Sequence, residues 1–254
     1  MKNKKVLYYD SLNDDFFDDN KKHRLSDDYV WIRRDLRSKF LSWLIYTLAI
    51  IFSNVYCRLF LHIKIVGAKV LRRQKGGFFL YGNHTQPVGD VFDPALACFP
   101  KRIYTVVGAA NMDLKFIGKI LPYLGALPIP ETLSGMKEFQ RAIEYRINTG
   151  HPIVIYPEAH VWEYYTGIRP FSAVSFKYPI KLNAPVFCMT CTYQKRRFGK
   201  RPKMTVYIDG PFNVCGDTAK QKSENLCATV HKCMSDRSKM SNFEYIEYRQ
   251  REGD

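Results

Sequence analysis

One apolar run interrupts an otherwise alternating chain. Phe40 to Cys57, FLSWLIYTLAIIFSNVYC, holds 18 residues without a charge. As a helix it spans about 27 Å, slightly less than a hydrocarbon core of roughly 30 Å. Arg33, Arg34, Arg37 and Lys39 precede it, and Arg58 and Lys64 follow. Basic flanks on both sides assign no orientation to a span, and they suit a helix lying in one anionic leaflet. A membrane-embedded or interfacial helix is therefore expected, ahead of a buried helix or a true span. Trp43, and with less reason Trp31 and Trp162, are candidates for the membrane interface.

From residue 63 the pattern changes to short apolar runs bounded by Gly, Pro or Asn, as buried strands are. Strands are predicted at Ile63–Gly67, Gly77–Tyr81, Tyr104–Val107, Ala126–Ile129, Pro152–Tyr156, Pro185–Tyr193 and Met204–Asp209. Helical periodicity lies between them. Ser134–Thr149 places Met136, Phe139, Ile143 and Ile147 on one face, with Gly150 as a stop. Asp217–Met240 does the same with Leu226, Val230, Cys233 and Met234. The alternation predicts an α/β fold: a mixed, largely parallel central sheet flanked by helices, preceded by a membrane-associating helical segment. The expected organisation is a mixed-charge arm at 1–39, the membrane-associating segment at 40–62 and the α/β domain at 63–254.

Composition adds a direction. The chain of 254 residues is 46% apolar, enough to exclude wholesale disorder, and carries a net charge of +15. The arm holds only about +2 of this, so the excess lies in the domain. Such a balance suits an anionic partner: nucleic acid, anionic lipid or a phosphorylated substrate. The basic residues are dispersed and no nucleic-acid-binding motif is present, so a nucleic-acid partner is not expected. The first 25 residues lack the apolar core and cleavage site of a secretory signal, so none is expected. Seven scattered cysteines read as reduced thiols. Cys188 and Cys191 have half-zinc-site spacing, but on a strand residues three apart face opposite ways, so no metal is expected.

Two strand ends carry candidate chemistry. After GGFFLY the chain reads Tyr81-Gly-Asn-His84-Thr-Gln-Pro-Val-Gly-Asp90. Ligands and reactive groups in α/β sheets gather at strand ends. His84 is the natural general base, and a carboxylate on its other nitrogen would fix the tautomer and stabilise the imidazolium. Asp90, across a Pro-Val-Gly turn, is the first candidate for that carboxylate and Asp93 the second. The other strand end is Ile153-Val-Ile-Tyr-Pro-Glu158-Ala-His160, where Glu158 is placed to bind a hydroxyl or to organise a loop, and His160 to line an acceptor pocket.

Taken together these stretches resemble the glycerolipid acyltransferase family, the PlsC-like 1-acylglycerol-3-phosphate acyltransferases. Asn83-His84 and Asp90 resemble the first family motif, with five residues rather than four between His and Asp. Gly125-Ala-Leu-Pro-Ile-Pro130 stands at the second motif and Tyr156-Pro-Glu158-Ala-His160-Val161 at the third. Ala184-Pro-Val186 resembles the fourth. The match covers about residues 40–210. Pro130 and Val161 stand where the family carries arginines associated with the acceptor's phosphate. Arg102, Lys115, Arg141 and Arg169 are the candidate replacements.

The resemblance implies a membrane-surface O-acyltransferase at the cytoplasmic face. An acyl chain would pass from acyl-CoA or acyl-carrier protein, as co-substrate and not cofactor, to a membrane lysolipid such as 1-acylglycerol-3-phosphate. It assigns catalysis to His84 and Asp90 and substrate binding to Asn83, Gly125, Glu158 and His160, with no metal. Two alternatives stand beside this reading: a non-catalytic lipid-binding relative, and an acyltransferase with a non-phosphate acceptor.

Overall fold

The computed structural model describes residues 4–16, 25–26, 28–86, 89–197 and 199–251. Pro87 and Val88 of the turn before Asp90, and Asp18-Asp19 of the arm, lie outside the described residues. Helix α1 runs Leu36–Tyr56 and continues in a wider turn to Leu61. It begins before the apolar run because Asp35 caps it, its carboxylate accepting from Ser38 N at 2.7 Å. Strand β2 (Ile63–Val66), helix α2 (Lys69–Arg73), β3 (Phe79–Gly82) and α3 (Gly89–Cys98) follow. Then come β4 (Tyr104–Val107), α4 (Ile117–Leu124), β5 (Ala126–Pro128), α5 (Leu133–Asn148) and β6 (Ile153–Ile155). The chain continues through α6 (Lys177–Leu182), β7 (Val186–Gln194), β8 (Lys203–Asp209) and α7 (Ala219–Ser238).

The seven predicted strands form one sheet, in the order β2-β8-β7-β3-β6-β4-β5. Every neighbouring pair is parallel except β7 with β8. Two apolar layers cover it. Ile50, Cys57, Leu71 and Ala97 of α1, α2 and α3 pack on one face. Phe139, Ile143, Leu226 and Val230 of α5 and α7 pack on the other. Cys188 lies in the second layer and Cys191 in the first, on opposite faces of β7 as the strand period requires. The seven cysteines are free thiols.

The sequence reading places no element in the arm or after α7. The structure has a strand in each: β1 (Lys5–Tyr9) pairs in parallel with β9 (Ile246–Gln250) as a separate two-stranded sheet. Helix α1 packs on α3 and α4 and leaves an apolar side outward. Trp43 is 61% exposed there, beside Phe40, Leu48, Ile51, Phe52, Leu59 and Phe60, and Phe116, Ile117 and Ile120 around α4 extend the surface. Such a contiguous apolar face marks an interaction surface. Trp162, by contrast, is fully buried among Tyr9, Phe16, Tyr165 and Tyr248, so its candidacy for the membrane interface is withdrawn.

Candidate active site

Central strand β3 delivers the chain to its C-terminal end between β6 and β7, and Asn83 anchors it there. Its buried amide makes both hydrogen bonds of a side-chain rung to β7: Nδ2 donates to Cys191 O at 3.1 Å, and Cys191 N donates to Oδ1 at 2.8 Å. Expected as a substrate ligand, Asn83 instead fixes where the next residue emerges.

That residue is His84. Its Nδ1 lies 2.8 Å from Asp90 Oδ2, while Nε2 has no protein partner among the described residues. The same Asp90 oxygen accepts from Gln86 N at 2.9 Å, which closes the loop over its own carboxylate. Asp90 is buried in the first turn of α3, where the helix dipole favours a negative charge. Gly89 opens that helix, and the Gln86 amide occupies the space a β-carbon would need there. The five-residue spacing is thus accommodated with the His–Asp contact formed.

Two further groups hold the imidazole. The Tyr156 ring stacks on it at 4.5 Å between centroids, and the Tyr156 hydroxyl donates to Asp90 O at 2.6 Å. Burial pushes the Tyr156 phenol well above its ordinary value, so it remains a donor. Sequence reasoning assigned no role to Tyr156. The one signal in the sequence is a tyrosine hydroxyl at a strand end, two residues before Glu158.

Asp93, the second candidate carboxylate, turns away from His84. Its Oδ2 accepts from Gln86 Nε2 at 2.9 Å. Burial, reinforced by the neighbouring Asp90, pushes its carboxyl well above the ordinary range and favours the neutral acid. Two adjacent carboxylates are thereby separated in role by environment.

Glu158 organises the loop. Oε2 accepts from His84 N and Oε1 from Arg169 N, both at 2.9 Å, and the Arg169 guanidinium lies 3.5 Å from Oε2. Burial raises the Glu158 carboxyl and depresses Arg169, each partly offset by the other. Arg169, 1% exposed, also donates to His160 O and stacks over Trp162. It is built into the interior and is no replacement for a phosphate-binding arginine. His160 turns its Nδ1 to Asp15 Oδ2 at 2.7 Å, in the N-terminal arm.

Of the other candidate cations, Arg141 pairs with Glu138 on the surface of α5. Arg102 donates to Ser42 and to Tyr123 O at 2.6 Å, by the opposite end of the strands from His84. Lys115 lies in the turn before α4, where its carbonyl accepts from Ile117 N at 2.7 Å. Gly125 is the left-handed stop of α4, with φ +99°, and a β-carbon there would meet Ile103 O at 2.6 Å. Its role in the structure is a backbone turn. His84 and Asp90 are therefore brought together, and Asn83 and Glu158 support them from behind.

Away from this site, Cys188, Asp209 and Cys233 cluster together, and the carboxylate is engaged by Arg237 at 2.6 and 2.8 Å.

A largely parallel sheet, an apolar helix before it and a His–Asp pair at the end of β3 describe a PlsC-like acyltransferase fold. A solved structure shares that fold: the 1-acyl-sn-glycerophosphate (LPA) acyltransferase PlsC from Thermotoga maritima. The similarity has a TM-score of 0.55 at 14% identity and covers 82% of this chain and 84% of that one. No family model and no curated protein matches the sequence.

Proposed function

We propose that the protein is a membrane-surface O-acyltransferase that moves an acyl chain from acyl-CoA or acyl-carrier protein to a lysolipid hydroxyl. The observation that carries this reading is the 2.8 Å contact between His84 Nδ1 and Asp90 at a strand end, with Nε2 unpartnered among the described residues. Nε2 takes the proton of the acceptor hydroxyl while the oxygen attacks the thioester carbonyl. Asp90 keeps the reactive tautomer and stabilises the imidazolium. The tetrahedral intermediate collapses with loss of the thiolate, which recovers the proton from His84. A thioester is already activated, so no acyl-enzyme is required. The exposed apolar side of α1 and α4 supports a seat at the membrane surface, with the acceptor presented from one leaflet, at the cytoplasmic face.

The acceptor has a specific alternative. Arg169 is committed to Glu158 and Trp162, Arg141 to Glu138, and Pro130 and Val161 occupy the motif arginine positions. A phosphate bound without such cations loses charge-assisted hydrogen bonds of about 1.5–3 kcal/mol each. This favours a lysolipid without a phosphate monoester over 1-acylglycerol-3-phosphate. The test is transfer of labelled acyl groups from acyl-CoA and acyl-carrier protein to a panel of monoacylglycerol, lysophosphatidylcholine and 1-acylglycerol-3-phosphate. His84→Ala is expected to abolish transfer to whichever acceptor is used. Undiminished transfer by that variant rules out the mechanism.

A further inference from the structure

The site above lies at the C-terminal ends of the parallel strands. The opposite end carries a cavity of about 140 Å³. The N-terminal part of α1 contributes Ser38, Lys39 and Ser42 to it, the preceding segment Arg33, and the sheet side Arg102 and Arg146. Four cations line this cavity and no carboxylate does. None of the four forms a salt bridge among the described residues, and the nearest acidic influence is Asp35 on Arg33. The three arginines stack on rings, and Arg102 also donates to Ser42 and to Tyr123 O. The Arg146 guanidinium lies 4.1 Å from the Tyr104 centroid, Arg102 4.6 Å from Tyr46 and Arg33 5.1 Å from Tyr123. Faces stacked this way leave the guanidinium edges of Arg33 and Arg146 for an anion.

A second observation points the same way. The Nε atoms of both Arg102 and Arg146 are buried without a hydrogen-bond partner. Buried polar atoms are rarely left so unless something absent from the protein satisfies them. Among the described residues Arg146 makes a single hydrogen bond, at 3.5 Å, to Trp31 O. Burial pulls its guanidinium below the ordinary value, and Arg102 beside it adds to the effect. The cavity is several times what one water needs. Its position relative to the apolar face is also specific: Lys39 is followed directly by Phe40, and Trp43 lies one residue beyond Ser42. With the apolar side of α1 in the acyl region, the cations stand at headgroup level.

We propose that this cavity binds a phosphate group, and that its source is the headgroup of an anionic membrane lipid held apart from the acyl-transfer site. The headgroup assignment rests on the membrane-surface reading; the phosphate site does not. Full-length protein and the variants Arg146→Gln, Arg33→Gln and Lys39→Gln are partitioned onto phosphatidylcholine vesicles with and without 20 mol% phosphatidic acid. Lys220→Gln and Lys232→Gln, on helix α7 across the sheet, control for net charge. Each cavity variant is expected to weaken binding to the anionic vesicles about fivefold. Binding to neutral vesicles and thermal stability should not change. Arg33 stacks on the Tyr123 ring and makes no hydrogen bond or salt bridge among the described residues, so its variant guards against a folding artefact. Equal losses in the α7 controls, or no loss in any cavity variant, overturn the proposal. Calorimetry with inorganic phosphate and with coenzyme A separates the sources. Tight binding of either that disappears in Arg146→Gln, without a vesicle effect, overturns the headgroup assignment. A wild type that ignores all vesicles yet binds phosphate sinks the membrane reading and leaves the phosphate site standing.

Discussion

At the scale of the residue, two carboxylates three positions apart do opposite things. Asp90 touches the imidazole; Asp93 is buried behind it and favours the neutral form. Asp90→Asn is expected to lower kcat by about a hundredfold or more, the range in which a positioned acid–base pair contributes. Asp93→Asn keeps an acceptor for Gln86 and should leave kcat within about threefold of wild type, since a neutral side chain of the same shape replaces a neutral acid. The sign of its pH effect follows. With the folded value above the unfolded one, near 3.9, the stabilising contribution of Asp93 is complete below that pH and is lost as pH rises toward the folded value. Urea unfolding from pH 4 to 8 should therefore show wild type losing stability relative to Asp93→Asn. Parallel curves would refute the burial of a neutral acid. Ala159 offers a different check. It has φ +65°, where an L-residue is strained. Ala159→Gly should stabilise the protein by about 0.5–1 kcal/mol, measured in the same unfolding experiment.

At the scale of the element, legibility followed burial. Strands β2 to β8 were readable to within about two residues because each is a short apolar run stopped by Gly, Pro or Asn. Lys5–Tyr9 and Ile246–Gln250 were not, because both are half-exposed and charged, and they are strands only through each other. Helix α1 was legible as an apolar run but not in its start, which depends on the Asp35 cap. The site divides in the same way. His84 and Asp90 were readable from residue type at a strand end. Asn83 and Glu158 were found by the same signal and put to another use, since an amide or carboxylate that braces backbone looks identical in sequence to one that binds substrate. Arg169 and Tyr156 required the tertiary structure, which brings the third-motif turn against β3 and α3. The brace makes its own prediction. Glu158→Ala leaves a buried guanidinium without its counter-charge and two backbone N–H groups unpaired, and should cost about 3–5 kcal/mol of stability. Arg169→Met combined with it should recover part of that loss, as a double-mutant cycle in urea would measure.

At the scale of the whole molecule, the arm and the C-terminal strand close over the third-motif turn from outside. Tyr9 and Phe16 lie on Trp162, whose Nε1 donates to Asp14 O at 2.9 Å, and Asp15 holds His160. Deleting residues 1–16 uncovers a buried tryptophan and should lower stability by about 3 kcal/mol or more, read as a fall in the melting temperature. An unchanged melting temperature would reduce the clasp to a surface ornament. The candidate site is thus held from both sides of the sheet's end: by β3 and α3 within the domain, and by chain segments remote in sequence around it.

The pairing of β1 with β9 also has a consequence for how the chain is made. These strands meet across about 240 positions. During synthesis β1 emerges long before its partner exists, and loops of that length close slowly and late. The turn that carries Glu158 and His160 therefore completes its outer cover only when the C-terminal strand leaves the ribosome. Until then a partly folded chain holds its Trp162 face open, the kind of surface that chaperones recognise.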